Sequence, residues 1–140
     1  MPTISASLLQ AYQQTTYTAW HQQQRLDIRI GQGCPALDAL LQQNQKHEWA
    51  FVTACNPYSK ELSPAENHSR HQALLAYIRP WGNLILEGQG IPDDPQWTPE
   101  TSILILGISK PQAIQLAQHF NQNAIVAGQL AGQAELVSCL

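Results

Sequence analysis

Trp49-Ala50-Phe51-Val52-Thr53-Ala54-Cys55-Asn56-Pro57 decides the fold: an apolar run that breaks off into polar turn residues. Ser63-Pro64-Ala65-Glu66-Asn67 follows and reads as the opening of a helix. Ser63 and Glu66 have the spacing of a capping box, and Pro64 suits the first helical position, where its missing N–H costs nothing. The unit recurs as Ser102-Ile103-Leu104-Ile105-Leu106-Gly107-Ile108, with Ser109-Lys110-Pro111-Gln112 starting the next helix. Two strand-to-helix units imply a mixed architecture with helices packed on a sheet.

Working outward, Leu74, Leu75 and Ile78 form the inner stripe of the first of these helices, and Pro80 ends it. Asn83 to Gly88 reads as a strand, Gly90 to Pro99 as a proline-rich loop, and Thr101 to Ile108 as a fully apolar strand. Ala124 to Gly128 and Glu135 to Cys139 read as closing strands. Towards the N-terminus, Ile4 to Gln14 has helical spacing. Tyr17 to His21 and Arg25 to Ile30 read as a hairpin about Gln22-Gln23-Gln24, with Leu26, Ile28 and Ile30 alternating against Arg25, Asp27 and Arg29. Gly33-Cys34-Pro35 opens a helix carrying Leu37, Leu40 and Leu41.

The expected fold is therefore α+β: one domain, 1–140, with a ferredoxin-like β-α-β-β-α-β core from Trp49 to Gly128. Its antiparallel or mixed sheet is extended by the N-terminal helix and hairpin and by the C-terminal strand. The first and third core strands are the most continuously apolar, as strands in the middle of a covered sheet should be.

Composition narrows the function. The 140 residues are 44% hydrophobic but only 12% charged, with a net charge of −3. A nucleic-acid binder needs a basic face, and the few Lys and Arg are scattered, so no nucleic-acid partner is expected. No apolar stretch approaches the roughly 20 residues that span a bilayer, so no membrane is expected either. The first residues lack a basic segment followed by an apolar run, and three unpaired cysteines fit a reduced, cytoplasmic protein. There is no phosphate loop, dinucleotide fingerprint or nucleophile elbow. His68 and His71 share a helix face, but no third ligand is evident, so neither metal nor cofactor is expected. Cys55 has no visible base and reads as a small apolar residue.

The expected topology gathers polar groups at one end of the sheet. Asn56 ends the first core strand, Asn67 and Arg70 lie on the first turns of its helix, Glu100 enters the third strand, and Gln122 precedes the fourth. Asn67 continues the buried stripe of Leu74 and Ile78, so its amide needs partners; it either pins the turn at Asn56 or touches a ligand. Arg70, near a helix N-terminus, could hold an anion or pair with Glu100 or Glu66. Glu100 could act as a base if desolvated, or satisfy loop amides. Trp97 either covers this end or anchors its loop.

Tyr12-x-x-Thr15-x-Tyr17, Phe51-Val52-Thr53-Ala54-Cys55-Asn56-Pro57, Ser63-x-x-Glu66-Asn67-x-x-Arg70, Gly90, Glu100-Thr101-Ser102 and Phe120-Asn121-Gln122-Asn123-Ala124-Ile125 together carry a likeness. In these blocks, from about Tyr12 to Val126, the chain resembles the bacterial domain-of-unknown-function 3293 family, which has no assigned activity. The resemblance implies that Thr53, Asn56, Pro57, Asn67, Arg70, Glu100 and Gln122 belong to the family pattern. The expected function is a binding or regulatory domain holding a small polar or anionic ligand. Thr53, Asn56, Asn67, Arg70, Glu100 and Gln122 are its candidate residues. The alternatives are an enzyme with Glu100 as base and Arg70 as anion holder, and an interaction domain whose polar cluster is structural.

Overall fold

The computed structural model describes residues 3–140. The elements, in chain order, are α1 (Ala6–Gln13), β1 (Thr15–His21), β2 (Gln24–Ile28), α2 (Pro35–Gln43), β3 (Glu48–Val52), α3 (Pro64–Ile78), β4 (Ile85–Pro92), β5 (Glu100–Leu106), α4 (Lys110–His119), β6 (Ala124–Gln129) and β7 (Glu135–Ser138). Among these residues no helix is long and apolar enough to cross a membrane.

All seven strands join one sheet in the order β2-β1-β4-β5-β3-β6-β7, and every neighbouring pair is antiparallel. The apolar runs of β3 and β5 lie side by side inside it, as strands covered on both faces should. The hairpin β1–β2 extends one edge and β7 the other. The sheet is curled: just beyond β2, Ile30 makes a parallel bridge to Ala134, just before β7. The Gly31 N–H donates to the Ala134 carbonyl at 2.8 Å, and the Ala134 N–H donates to the Gln32 carbonyl at 3.0 Å. The two edges of the sheet therefore meet at one corner.

Alternation along each strand sends side chains to opposite faces, and each face has its own core. Ala50, Val52, Ala54, Ile103, Ile105, Ile125 and Ala127 face α3 and α4, meeting Leu74, Ile78, Leu116 and Ala117. Trp49, Phe51, Leu104, Leu106 and Val126 face the concave side, where Leu37, Leu40 and Leu41 of α2 fill the bowl. No side chain caps the N-terminus of α2. Its docking rests instead on these leucines, each contributing about 1.5–3 kcal/mol on burial. In contrast, α3 carries the complete capping box, with the Glu66 N–H donating to Ser63 Oγ and the Ser63 N–H to Glu66 Oε1, both at 3.1 Å.

Two sequence-based expectations need correction here. The strand read as Asn83 to Gly88 is shifted towards the C-terminus. Gly90 pairs with Glu100, and Pro92 with Thr15, so the loop begins only at Asp93. Gly90, read as the first residue of that loop, is a strand residue set beside the Tyr17 ring. Proline is tolerated because it stands last, where no ladder bond needs its N–H. His68 and His71 do not share one environment on their helix: His68 is exposed, whereas His71 is buried, with Nε2 3.1 Å from Glu87 Oε2 on β4.

Gly88 shows how tightly the concave core is built. A Cβ there would lie 2.5 Å from the Thr18 carbonyl oxygen and 3.0 Å from the Phe51 ring. Gly88→Ala must therefore push β1 from β4 or displace Phe51. Its expected cost is about 1–3 kcal/mol, seen as a lower urea midpoint at an unchanged slope.

Candidate functional site

The bowl is filled at one end by α2 and open at the other, where β3 ends, β5 begins and β6 is entered. A cleft of about 590 Å³ occupies the open end. Tyr17, Phe51 and Val126 supply apolar lining, and Thr53, Asn56, Glu100, Ser102 and Gln122 supply polar groups. Leu8, Ala11 and Tyr12 of α1 close one side, and Asp94 to Thr98 of the β4–β5 loop close another. Period-two alternation explains the selection. Thr53 follows Phe51 by two, and Glu100, Ser102 and Leu104 share the concave face of β5.

The two covering segments are tied together. Arg29 forks onto Asp93, with Nη1–Oδ1 at 2.8 Å and Nη2–Oδ2 at 3.2 Å, and also donates to Thr16 Oγ1 at 2.9 Å. The Asp93 N–H donates to the Gln14 carbonyl at 2.8 Å, which joins the loop to the end of α1. The Arg29 guanidinium holds the Asp93 carboxyl below the usual range. Trp97 lines the cleft yet is 67% exposed, so it borders the opening without being anchored in the core.

Asn56 organises the polar end. Its Nδ2 donates to Glu100 Oε2 at 3.0 Å, and its Oδ1 accepts from Asn67 Nδ2 at 2.8 Å and from the Leu62 N–H at 3.0 Å. The Asn56 N–H donates to Asn67 Oδ1 at 2.9 Å. Asn67 thus spends its amide pinning the turn, from the helix side of the sheet, while Asn56 faces the cleft. The turn is bent hard: Asn56, Tyr58 and Ser59 all have positive φ, at 48°, 52° and 61°. Asparagine enters this left-handed region cheaply, but tyrosine and serine do so at a cost. The turn is held by the Tyr58 N–H on the Asn121 carbonyl, and by Asn123 Nδ2 on Ser59 Oγ, both at 2.8 Å.

Of the six residues picked out from sequence, Thr53, Asn56, Glu100 and Gln122 line the cleft, whereas Asn67 and Arg70 stand behind its wall. Gln122 gives its Nε2 protons to the carbonyls of Cys55 and Phe120, at 3.0 and 3.2 Å. Arg70 pairs with neither Glu100 nor Glu66. Its Nε donates to the Ala54 carbonyl and its Nη2 to the Phe120 carbonyl, so one guanidinium satisfies two loop ends. The Thr53 hydroxyl donates to the Thr101 carbonyl at 2.8 Å and accepts from the Cys55 N–H at 3.0 Å.

Burial pushes the Glu100 carboxyl above the usual carboxylate range, and the hydrogen bond from Asn56 only partly opposes this. The tyrosines behave alike: burial raises the phenols of Tyr12 and Tyr17. The Tyr17 hydroxyl donates to the Tyr12 carbonyl at 2.9 Å, and its ring packs edge-on against Phe51 with centroids 5.3 Å apart. Burial likewise raises the Cys55 thiol, which keeps it protonated and a poor nucleophile. Among the described residues, no three of His, Cys, Asp and Glu come together as a metal-holding set.

Among the lining residues that sequence reasoning left out of the site are Tyr12, Tyr17, Phe51, Ser59 and Ser102. The same-face rule along a strand could have supplied two of them, since Phe51 and Ser102 each stand two positions from a chosen residue. The fold and cleft together define an α+β domain with a curled antiparallel sheet and a partly polar cavity at one mouth. A model of the family described as a protein of unknown function, DUF3293, matches residues 52–125, from the end of β3 through Glu100 and Gln122 to the start of β6. The chain belongs to that family. No curated protein and no solved structure matches it.

Two expectations follow for stability. Arg70→Ala strips partners from the Ala54 and Phe120 carbonyls and should cost about 1.5–3 kcal/mol in urea unfolding. For Glu100, a raised folded-state pKa means that the folded protein binds the proton more tightly than the unfolded chain. Its contribution to stability therefore falls as pH rises from the unfolded carboxyl value through the folded one. Glu100→Gln, which keeps an acceptor for Asn56, should raise the melting temperature at neutral pH. That gain should shrink under acid conditions, as calorimetry across pH would show.

Proposed function

We propose that this chain is a small binding domain that takes a polar organic molecule into the cleft between α1, the β4–β5 loop and the open end of the sheet. The observation that carries this reading is the desolvated Glu100 carboxyl inside a cavity of about 590 Å³, a volume suited to a small ligand. A carboxyl kept away from water lowers the stability of the free protein, and groups retained at such a cost gather at functional sites. Thr53, Asn56 and Gln122 share the lining with Glu100 and would orient the ligand. Asn67 and Arg70 would position the wall, not touch the ligand, because their polar atoms meet the Asn56 turn and two carbonyls.

The finer architecture belongs to the same proposal. Strands β3 to β6 lie in the order β4-β5-β3-β6, with α3 and α4 as crossovers, which supports a ferredoxin-like core inside a single domain; its three unpaired cysteines fit a cytoplasmic location. One further reading has support of its own: an enzyme with Glu100 as general base, for which raised proton affinity is the right tuning. Arg70 does not help it as an anion holder, since its guanidinium is engaged elsewhere. The reading of the polar cluster as purely structural would leave the cleft empty in solution.

Ligand occupancy is readable in two ways. A molecule binding only the folded chain stabilises it by about 2.7 kcal/mol at a hundred times its Kd, so a screen of polar metabolites should yield compounds that raise the melting temperature. The same compounds should change the emission of Trp97 at the cleft mouth, and Trp97→Phe should remove that change. A screen without hits favours the structural reading. Hits that Glu100→Gln no longer turns over favour the enzyme.

A further inference from the structure

The charge of the lining narrows the ligand class, given the reading of the cleft as a binding site. Its charged residues among those described are Glu61, Asp94 and Glu100, with no Lys, Arg or His. Arg29, which holds the covering loop, and Arg70, behind the wall, are committed elsewhere: Arg29 to Asp93, and Arg70 to the carbonyls of Ala54 and Phe120. An anionic guest would meet three carboxylates and no counter-charge. A cation would meet carboxylates at both depths of the cavity, with Glu100 inside and Glu61 and Asp94 on exposed segments of the rim.

The apolar part of the lining is equally informative. Tyr12, Tyr17, Phe51 and Trp97 present aromatic surface around Glu100. Aromatic faces attract cations and also accept the hydrocarbon of an organic amine. A metal ion would gain little there, because the three carboxylates do not form a metal-holding cluster. Glu100 already has Oε2 engaged by Asn56, which holds the carboxylate in one orientation and fixes where its charge lies.

We infer that the cleft selects a small organic cation, an ammonium or guanidinium group on an apolar or aromatic body, with the cationic head on Glu100 and the body against Tyr17, Phe51 and Trp97. Desolvating a carboxylate without a counter-charge is costly, and a bound cation offsets that cost where an alcohol or acid of similar shape cannot.

Three probes of one shape test this: phenethylamine, phenethyl alcohol and phenylacetate, titrated by calorimetry and by Trp97 emission. The amine should bind at least about tenfold tighter than the alcohol, and phenylacetate should bind weakest. Glu100→Gln, expected to fold well, should bring the amine and alcohol affinities together, and Asp94→Asn should reduce the preference by a smaller factor. If the alcohol or the acid binds as tightly as the amine, the cation inference fails while the cleft remains a binding site. If Glu100→Gln leaves the preference intact, the head-group assignment fails. If no probe of any charge engages Trp97 or the calorimeter, the cation inference and the binding reading fall together.

Discussion

One carboxamide links the two sides of this sheet. Asn56 accepts from Asn67 on the helical side and donates to Glu100 on the concave side, so the first turn of α3 and the start of β5 are held through a single side chain. Each bond alone contributes on the order of 1 kcal/mol. Their joint effect is geometric. The backbone at Asn56 must turn left-handed to present both faces of its amide at once, and asparagine is one of the few residues that does so cheaply. The strained Tyr58 and Ser59, the fixed orientation of Glu100 and the wall formed by Gln122 all follow from that turn.

The environment of Glu100 follows from the curl of the sheet. A flat sheet would leave the concave face of β5 open to water at Glu100. Here the edges bend round, α2 fills one end of the bowl, and α1 and the β4–β5 loop roof the other. The carboxyl is thereby desolvated while a cavity remains beside it. Packing of this kind stabilises the domain everywhere except at the mouth, where a half-buried acid and a hard turn are retained together. Local departures from good folding design tend to coincide with sites that bind or react.

Much of this was legible in the chain. The capping residues Ser63 and Ser109 and the apolar runs of β3 and β5 gave element type and order, because each signal is local. The gathering of Asn56, Glu100 and Gln122 at one sheet end followed from strand direction alone. The direction of the Arg70 guanidinium was not legible, because sequence places a residue on a helix turn but does not say whether carbonyls or carboxylates lie within reach. Phe51 and Tyr17 read as ordinary core, since one apolar residue in a strand looks the same whether it faces leucine or a cavity. Gly90 read as the start of a loop, although it lies in a strand beside Thr15 and the Tyr17 ring. The curl escaped notice because the bridge between Ile30 and Ala134 joins distant segments that carry no pairing motif.

That same bridge bears on how the molecule behaves in a crowd of its own copies. Open sheets end in two rows of unpaired amides and carbonyls that can recruit strands from other chains. Here the short β7 and the β2 border are turned towards one another, and charged Arg25, Asp27 and Glu135 punctuate them. Shape and charge at these borders thus guard against aggregation in a chain with few charges elsewhere.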